Sequence, residues 1–107
     1  MPGLSPFTIV YAPETFEHLA AIDRKHHRLI EQKIVEQLSH TPEKETRNRK
    51  PLQRPTPFGA AWELRCGPRN RFRVFYEVRP VESVVWVSAI GIKDRSRLLI
   101  GNEEVNL

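Results

Sequence analysis

The residues best equipped for chemistry lie between Trp62 and Arg79. Side chains of an extended chain alternate between two faces. Along Trp62-Glu63-Leu64-Arg65-Cys66 and Phe72-Arg73-Val74-Phe75-Tyr76-Glu77-Val78, one face takes the apolar even-numbered residues. The other takes Glu63, Arg65, Arg71, Arg73, Phe75, Glu77 and Arg79. If Gly67-Pro68-Arg69-Asn70 is the turn of a hairpin, Arg65, Arg71 and Arg73 share that second face. Guanidinium forks held on rigid strands suit a phosphate, and a bound anion offsets the repulsion between them. Phe75, an aromatic on the same face, is placed to stack an unpaired base. Glu63 and Glu77 offer the competing arrangement, a surface lattice in which the arginines are simply neutralised.

The charge distribution favours an anionic partner. Residues 41–80 carry ten Lys or Arg against four acids, an excess of six, whereas residues 1–40 and 81–107 each hold one more acid than base. Solubility alone would intersperse the signs; a local excess of Arg predicts a docking surface for a polyanion, most often nucleic acid. Part of this charge falls in residues 41–57, which have four prolines and no apolar period and are expected to form an exposed, extended loop. Arg49, Lys50 and Arg54 are assigned there as contacts to a nucleic-acid backbone, an attraction that salt screens.

Other chemistries find little support. Cys66 is the only cysteine. It has no disulfide or CxxC partner, alternates inward as a small filler, and fits a reducing, cytoplasmic setting. His26 and His27 point apart on a helix, and no HxxxH or HExxH spacing occurs, so no metal site and no cofactor are expected. There is no glycine-rich phosphate loop. The N-terminus lacks the basic start and apolar run of a signal, and no segment approaches the length of a membrane span. With 107 residues, 39% hydrophobic and 28% charged, the chain is expected to form one globular domain.

The elements that must position the arginines can be read from periodicity. Phe7 to Tyr11 predicts a first strand between Pro6 and Pro13. From Glu14, apolar residues recur at spacings of three and four from Phe16 to Leu38, predicting one long helix or two with a break near Asp23. The nearly continuous apolar run Val84 to Ile90 predicts a central strand covered on both faces. Ile100-Gly101-Asn102-Glu103 carries a turn signal. The fold class is α+β: an N-terminal strand, then a helix or helical hairpin packed on one face of an antiparallel sheet of about four strands, leaving the other face to the arginines.

Trp62-Glu-Leu-Arg65, the strand FRVFYEV and the ending AIGIKDRSR together resemble the RelE/ParE superfamily of toxins from bacterial type II toxin–antitoxin systems. The resemblance covers essentially the whole chain, with the basic Lys50-Pro51-Leu52 segment ahead of the strands. Members like RelE cut messenger RNA at the ribosome without a metal ion, the ribose 2′-OH attacking the adjacent phosphate. On that resemblance Arg73 is the main phosphate-stabilising cation, Lys93 and Arg95 complete a catalytic set, and Arg65, Arg71 and Lys50 are RNA contacts. The catalytic lysines of RelE fall at about Ala61 and Glu63 and its C-terminal tyrosine at about Leu99, leaving Glu63 as a residue whose type suits a base. The resemblance also implies a cognate antitoxin protein. A ParE-like toxin, which inhibits DNA gyrase by protein binding, is the alternative; a nuclease-deficient RNA-binding domain is a further one.

Overall fold

The computed structural model describes residues 6–107; residues 1–5, part of the N-terminus read above for targeting signals, lie outside them. The chain runs β1 (Thr8–Tyr11), α1 (Glu14–Ala20), α2 (His27–Leu38), β2 (Arg49–Pro51), β3 (Trp62–Cys66), β4 (Phe72–Arg79), β5 (Val84–Asp94), β6 (Arg97–Ile100) and β7 (Glu103–Val105). All seven strands join one sheet in the order β2-β3-β4-β5-β6-β7, with β1 paired to β5. The expected α+β architecture is present, but the sheet has seven strands instead of about four. Two of the additional strands, β2 and β7, have three residues each and β6 has four, too short to display a period. β1 is parallel to the first half of β5, so the sheet is not wholly antiparallel.

Of the two arrangements that periodicity left open, one long helix or two, the chain has two, with the break at Asp23. The Asp23 backbone leaves the helical region, with φ −51° and ψ 131°, and its carboxylate accepts from the Lys25 amide at 3.1 Å. A short 3-10 turn, Arg24–His26, then leads into α2. Four-residue spacing puts Ile30, Ile34 and Leu38 on one side of α2, all fully buried against Leu64, Val74, Tyr76, Val85 and Val87. Phe16 departs from the expected stripe: it is 68% exposed on α1. Among the described residues no helix is long and apolar enough to cross a membrane.

A bulge in β5 decides what reaches the opposite face. Phe75 pairs with Ala89 but Tyr76 pairs with Val87, so Ser88 is an extra residue on β5. Before it, Val85 and Val87 face the helices; after it, Ile90 does. The change of parity turns Ala89, Gly91 and Lys93 to the far face, where Gly91 stands opposite Arg73. Gly91 lets β6 close in, since a Cβ there would lie 2.7 Å from the Leu99 carbonyl oxygen. The far face has a small core of its own, in which Ala60, Phe75, Ala89, Leu98 and Ile100 are buried beneath Leu52, Phe58 and Val105.

His18 ties α1 to β5 beyond the bulge, its Nδ1 accepting from the Ile90 amide at 3.3 Å. That bond requires an unprotonated Nδ1. Burial pushes the imidazole below its ordinary value, against the smaller opposing pull of Glu14 and Glu17. The unfolded chain therefore takes up a proton at a higher pH than the folded one, and His18 costs stability as pH falls from about 6.5 through its folded value. Thermal unfolding at pH 7.5 and 5.5 should show a larger loss for the wild type than for His18→Gln. Equal losses would show that this histidine does not couple folding to pH.

Candidate functional site

The hairpin places the arginines as alternation predicts. Arg65 on β3 stands directly across from Arg73 on β4. Glu63, whose side chain is 10% exposed, resolves their repulsion by pairing with both. Its Oε1 accepts from Arg65 Nε at 2.8 Å and its Oε2 from an Arg73 terminal nitrogen at 3.3 Å. The neutralised lattice weighed from the sequence is thus realised at Glu63. At Glu77 it is not: that carboxylate pairs with Arg79, at 2.6 Å, at the other end of the strand. Arg73 is fixed further by its Nε, which donates to the Asn70 carbonyl at 2.9 Å. Its guanidinium is held by a turn and a carboxylate, and is mostly buried, with 14% of its side chain exposed.

Lys93 arrives from β5. Its amide donates to the Arg71 carbonyl at 2.7 Å, which locks the start of β4 to the end of β5. Among the described residues no carboxylate lies within ion-pair distance of Lys93, Arg69, Arg71 or Arg95. Arg95 sits in the β5–β6 turn with φ 59°, a left-handed backbone conformation.

Two clefts meet at Arg73 and Lys93. The first, of about 310 Å³, has a mixed lining that includes Glu63 and Arg65 together with the apolar Leu52, Leu98, Val105 and Leu107. The second, of about 560 Å³, is lined only by Arg69, Arg71, Arg73, Lys93, Asp94 and Arg95. Arg73 and Lys93 line both. The expected residues Arg65, Arg71, Arg73, Lys93 and Arg95 therefore converge. Arg69 joins them without having been singled out, since its position in a turn gave it no assigned face.

Four expected contacts are placed elsewhere. Phe75 does lie on the arginine face, but it is fully buried, its ring 5.2 Å from that of Phe58, so it has no surface on which to stack a base. Arg49 is not in an exposed loop. It is 6% exposed on β2, and one terminal nitrogen donates to the carbonyls of Gln37 and, at 2.8 Å, Thr41. It caps α2. Alternation could not reveal this, because β2 has only three residues and ends in Pro51. Lys50 is on the far face opposite Glu63 and pairs with Glu45 at 3.4 Å, while exposed Arg54 lines a third depression that shares Leu52 and Leu107 with the first cleft; neither lines the two clefts.

The remaining candidates are quiet. Burial pushes the Cys66 thiol up to about 11, against a smaller opposing effect of Lys33, so it is no nucleophile at neutral pH. Leu99, where the resemblance put a tyrosine, pairs with Ile92 on the helix side of the sheet. Among the described residues no three His, Cys, Asp or Glu side chains form a group that could hold a metal ion.

The site thus offers fixed cations, one buried carboxylate between two of them, and a cleft that changes from mixed to wholly charged across Arg73 and Lys93. Neither a family model nor a curated protein matches the chain. Among solved structures it is similar to a chain of the RelBE2 toxin–antitoxin complex from Mycobacterium tuberculosis, at 18% identity and a TM-score of 0.67, covering 84% of this chain and 94% of that one. The helices and the sheet together share the fold of that chain.

Proposed function

We propose that the protein is the toxin of a type II toxin–antitoxin module and cleaves messenger RNA at the ribosome through its own side chains. The observation that carries this reading is the meeting of Arg73 and Lys93 at the junction of the two clefts, beside the carboxylate of Glu63. Its fold likeness to a chain of a toxin–antitoxin complex supports the biological setting.

With an RNA phosphate at that junction, the 2′-oxygen attacks phosphorus and the bond to the 5′-oxygen breaks. The products are a 2′,3′-cyclic phosphate and a 5′-hydroxyl. Arg73 stabilises the charge that grows on the non-bridging oxygens, its guanidinium already oriented by Asn70 and Glu63. Glu63 receives the 2′-OH proton and Lys93 gives a proton to the leaving oxygen. Arg65 holds Glu63 in place, and Arg95 adds positive charge beside the junction. In this scheme Glu63 stands in for the missing tyrosine and lysines as the proton acceptor.

The reading implies an antitoxin that covers this face, for which an acidic segment is electrostatically suited. End-group analysis of RNA incubated with the purified protein tests the chemistry. Cyclic phosphate and 5′-hydroxyl ends should form at an unchanged rate when a chelator is added, because the cations are Arg and Lys. Loss of cleavage on chelation, or 5′-phosphate ends, would overturn the scheme.

A further inference from the structure

The two clefts differ in what they can bind. The lining of the first combines the apolar Leu52, Leu98, Val105 and Leu107 with Glu63 and Arg65. The second has no apolar lining residue at all. Of its six residues five are cationic, and its single acid, Asp94, is already paired with Arg97 at 3.6 Å. The shared Arg73 is partly neutralised by Glu63, whereas Arg69, Arg71, Lys93 and Arg95 have no carboxylate partner among the described residues. The cluster is also built to persist. Arg69 and Asn70 take left-handed backbone, φ 57° and 52°, in the β3–β4 turn, and Arg95 does so in the β5–β6 turn. The Lys93 to Arg71 backbone bond clamps those two turns side by side, and Arg71 rests over the Phe72 ring at 5.6 Å.

Unpaired cations crowded around one concave volume repel each other, and nothing in the fold gains from holding them together. A phosphate diester accepts from several guanidinium groups at once and removes that repulsion. An unstacked base would meet only charge in this cleft. We infer that the second cleft is a subsite for the backbone phosphate next to the scissile one on single-stranded RNA, with Arg71 and Arg95 as its principal ligands and Arg69 at its rim. The first cleft then takes the nucleoside on the other side of the cut. The inference deepens the RNA reading and rests on it for the identity of the strand.

Binding of a 2′-O-methyl RNA hexamer, which offers no 2′-OH to attack, tests the subsite without requiring cleavage. The double variant Arg71→Gln, Arg95→Asn suits the comparison, because both side chains are exposed and asparagine tolerates left-handed backbone. Relative to wild type, its log Kd should depend less steeply on log salt, by about 0.7 for each phosphate that the variant no longer neutralises. A single methylphosphonate walked along the hexamer should weaken both proteins at the linkage held by Arg73 and Lys93, and at the adjacent linkage weaken wild-type binding several-fold while leaving the variant's affinity unchanged. An unchanged salt slope, equal sensitivity of both proteins at every linkage, or no wild-type binding at low salt would each overturn the subsite. Cleavage of unmodified RNA, followed in parallel, separates the two readings. Cutting by wild type without the linkage effect removes the subsite alone. The linkage effect without cutting removes the nuclease and leaves the subsite standing.

Discussion

Arg73→Ala should reduce RNA cleavage by about a hundredfold or more and release cells from growth arrest, while the protein stays folded. The size follows from what the side chain does. A pre-oriented donor aimed at charge that grows in the transition state is worth on the order of 10²–10³ in rate. Arg73 is oriented by two independent contacts, the Asn70 carbonyl and Glu63. The fold should survive because its side chain lies on the far face of β4, away from the helix-covered core. Truncation leaves Glu63 still paired with Arg65 at 2.8 Å, so no carboxylate is stranded. Arg73→Lys should recover only part of the rate, since an ammonium cannot serve Asn70, Glu63 and a phosphate from one planar fork. A cooperative thermal transition close to that of wild type, together with abolished cleavage, is the expected pair of results. Full cleavage by folded Arg73→Ala would remove Arg73 from the site.

Arg49→Ala should act in the opposite way, with a large effect on stability and none on chemistry beyond it. The Arg49 guanidinium bridges the Gln37 and Thr41 carbonyls from beneath, where α2 ends and the chain turns toward β2. Tyr76 holds the same turn from the sheet, donating to the Pro42 carbonyl at 2.7 Å; burial raises its phenol well above the usual range, so it stays a donor. Removing the guanidinium strands the two carbonyls and leaves a void under the turn. Unmade buried hydrogen bonds and a cavity of that kind cost about 3 kcal/mol together. For a chain of this size the melting temperature should drop by on the order of 10 °C. A melting temperature within a degree or two of wild type would show that the cap contributes little.

These two arginines mark how far the sequence could be read. Arg73 was legible because β4 is eight residues long and alternates cleanly, so its side chain could be assigned to a face. Arg49 was not. Its strand is three residues ending in Pro51, and its role depends on a helix end more than ten positions earlier in the chain. Phe75 shows a different limit. Its face was right, but the apolar cover over it comes from Leu52, Phe58, Leu98 and Val105, segments with no strand period to announce them. Lys93 could be placed only by resemblance. Simple alternation from Val85 and Val87 would have turned it toward the helices, and the bulge at Ser88 reverses the parity. The sequence shows Ser88 as one small polar residue in an apolar run, a weak sign of a bulge. The turn at Gly101-Asn102 was legible because it is set by local backbone chemistry, whereas the apolar period runs on through Asp23 and left one helix or two open.

The separation of roles among the basic residues also sharpens the charge argument. The excess between residues 41 and 80 is not one surface. Arg49 holds the fold, Lys50 and Arg54 line neither cleft, and Arg65, Arg69, Arg71 and Arg73 gather with Lys93 and Arg95. Substitutions at Arg49 and Arg73 therefore remove the same formal charge with different consequences.

Translation in vitro with the wild-type protein added, followed by mapping of messenger ends, tests the central claim most directly. Discrete new ends within the coding region, absent when Arg73→Ala is added instead, are the predicted result. Intact messenger and unimpaired translation, alongside inhibited supercoiling by DNA gyrase, would contradict it.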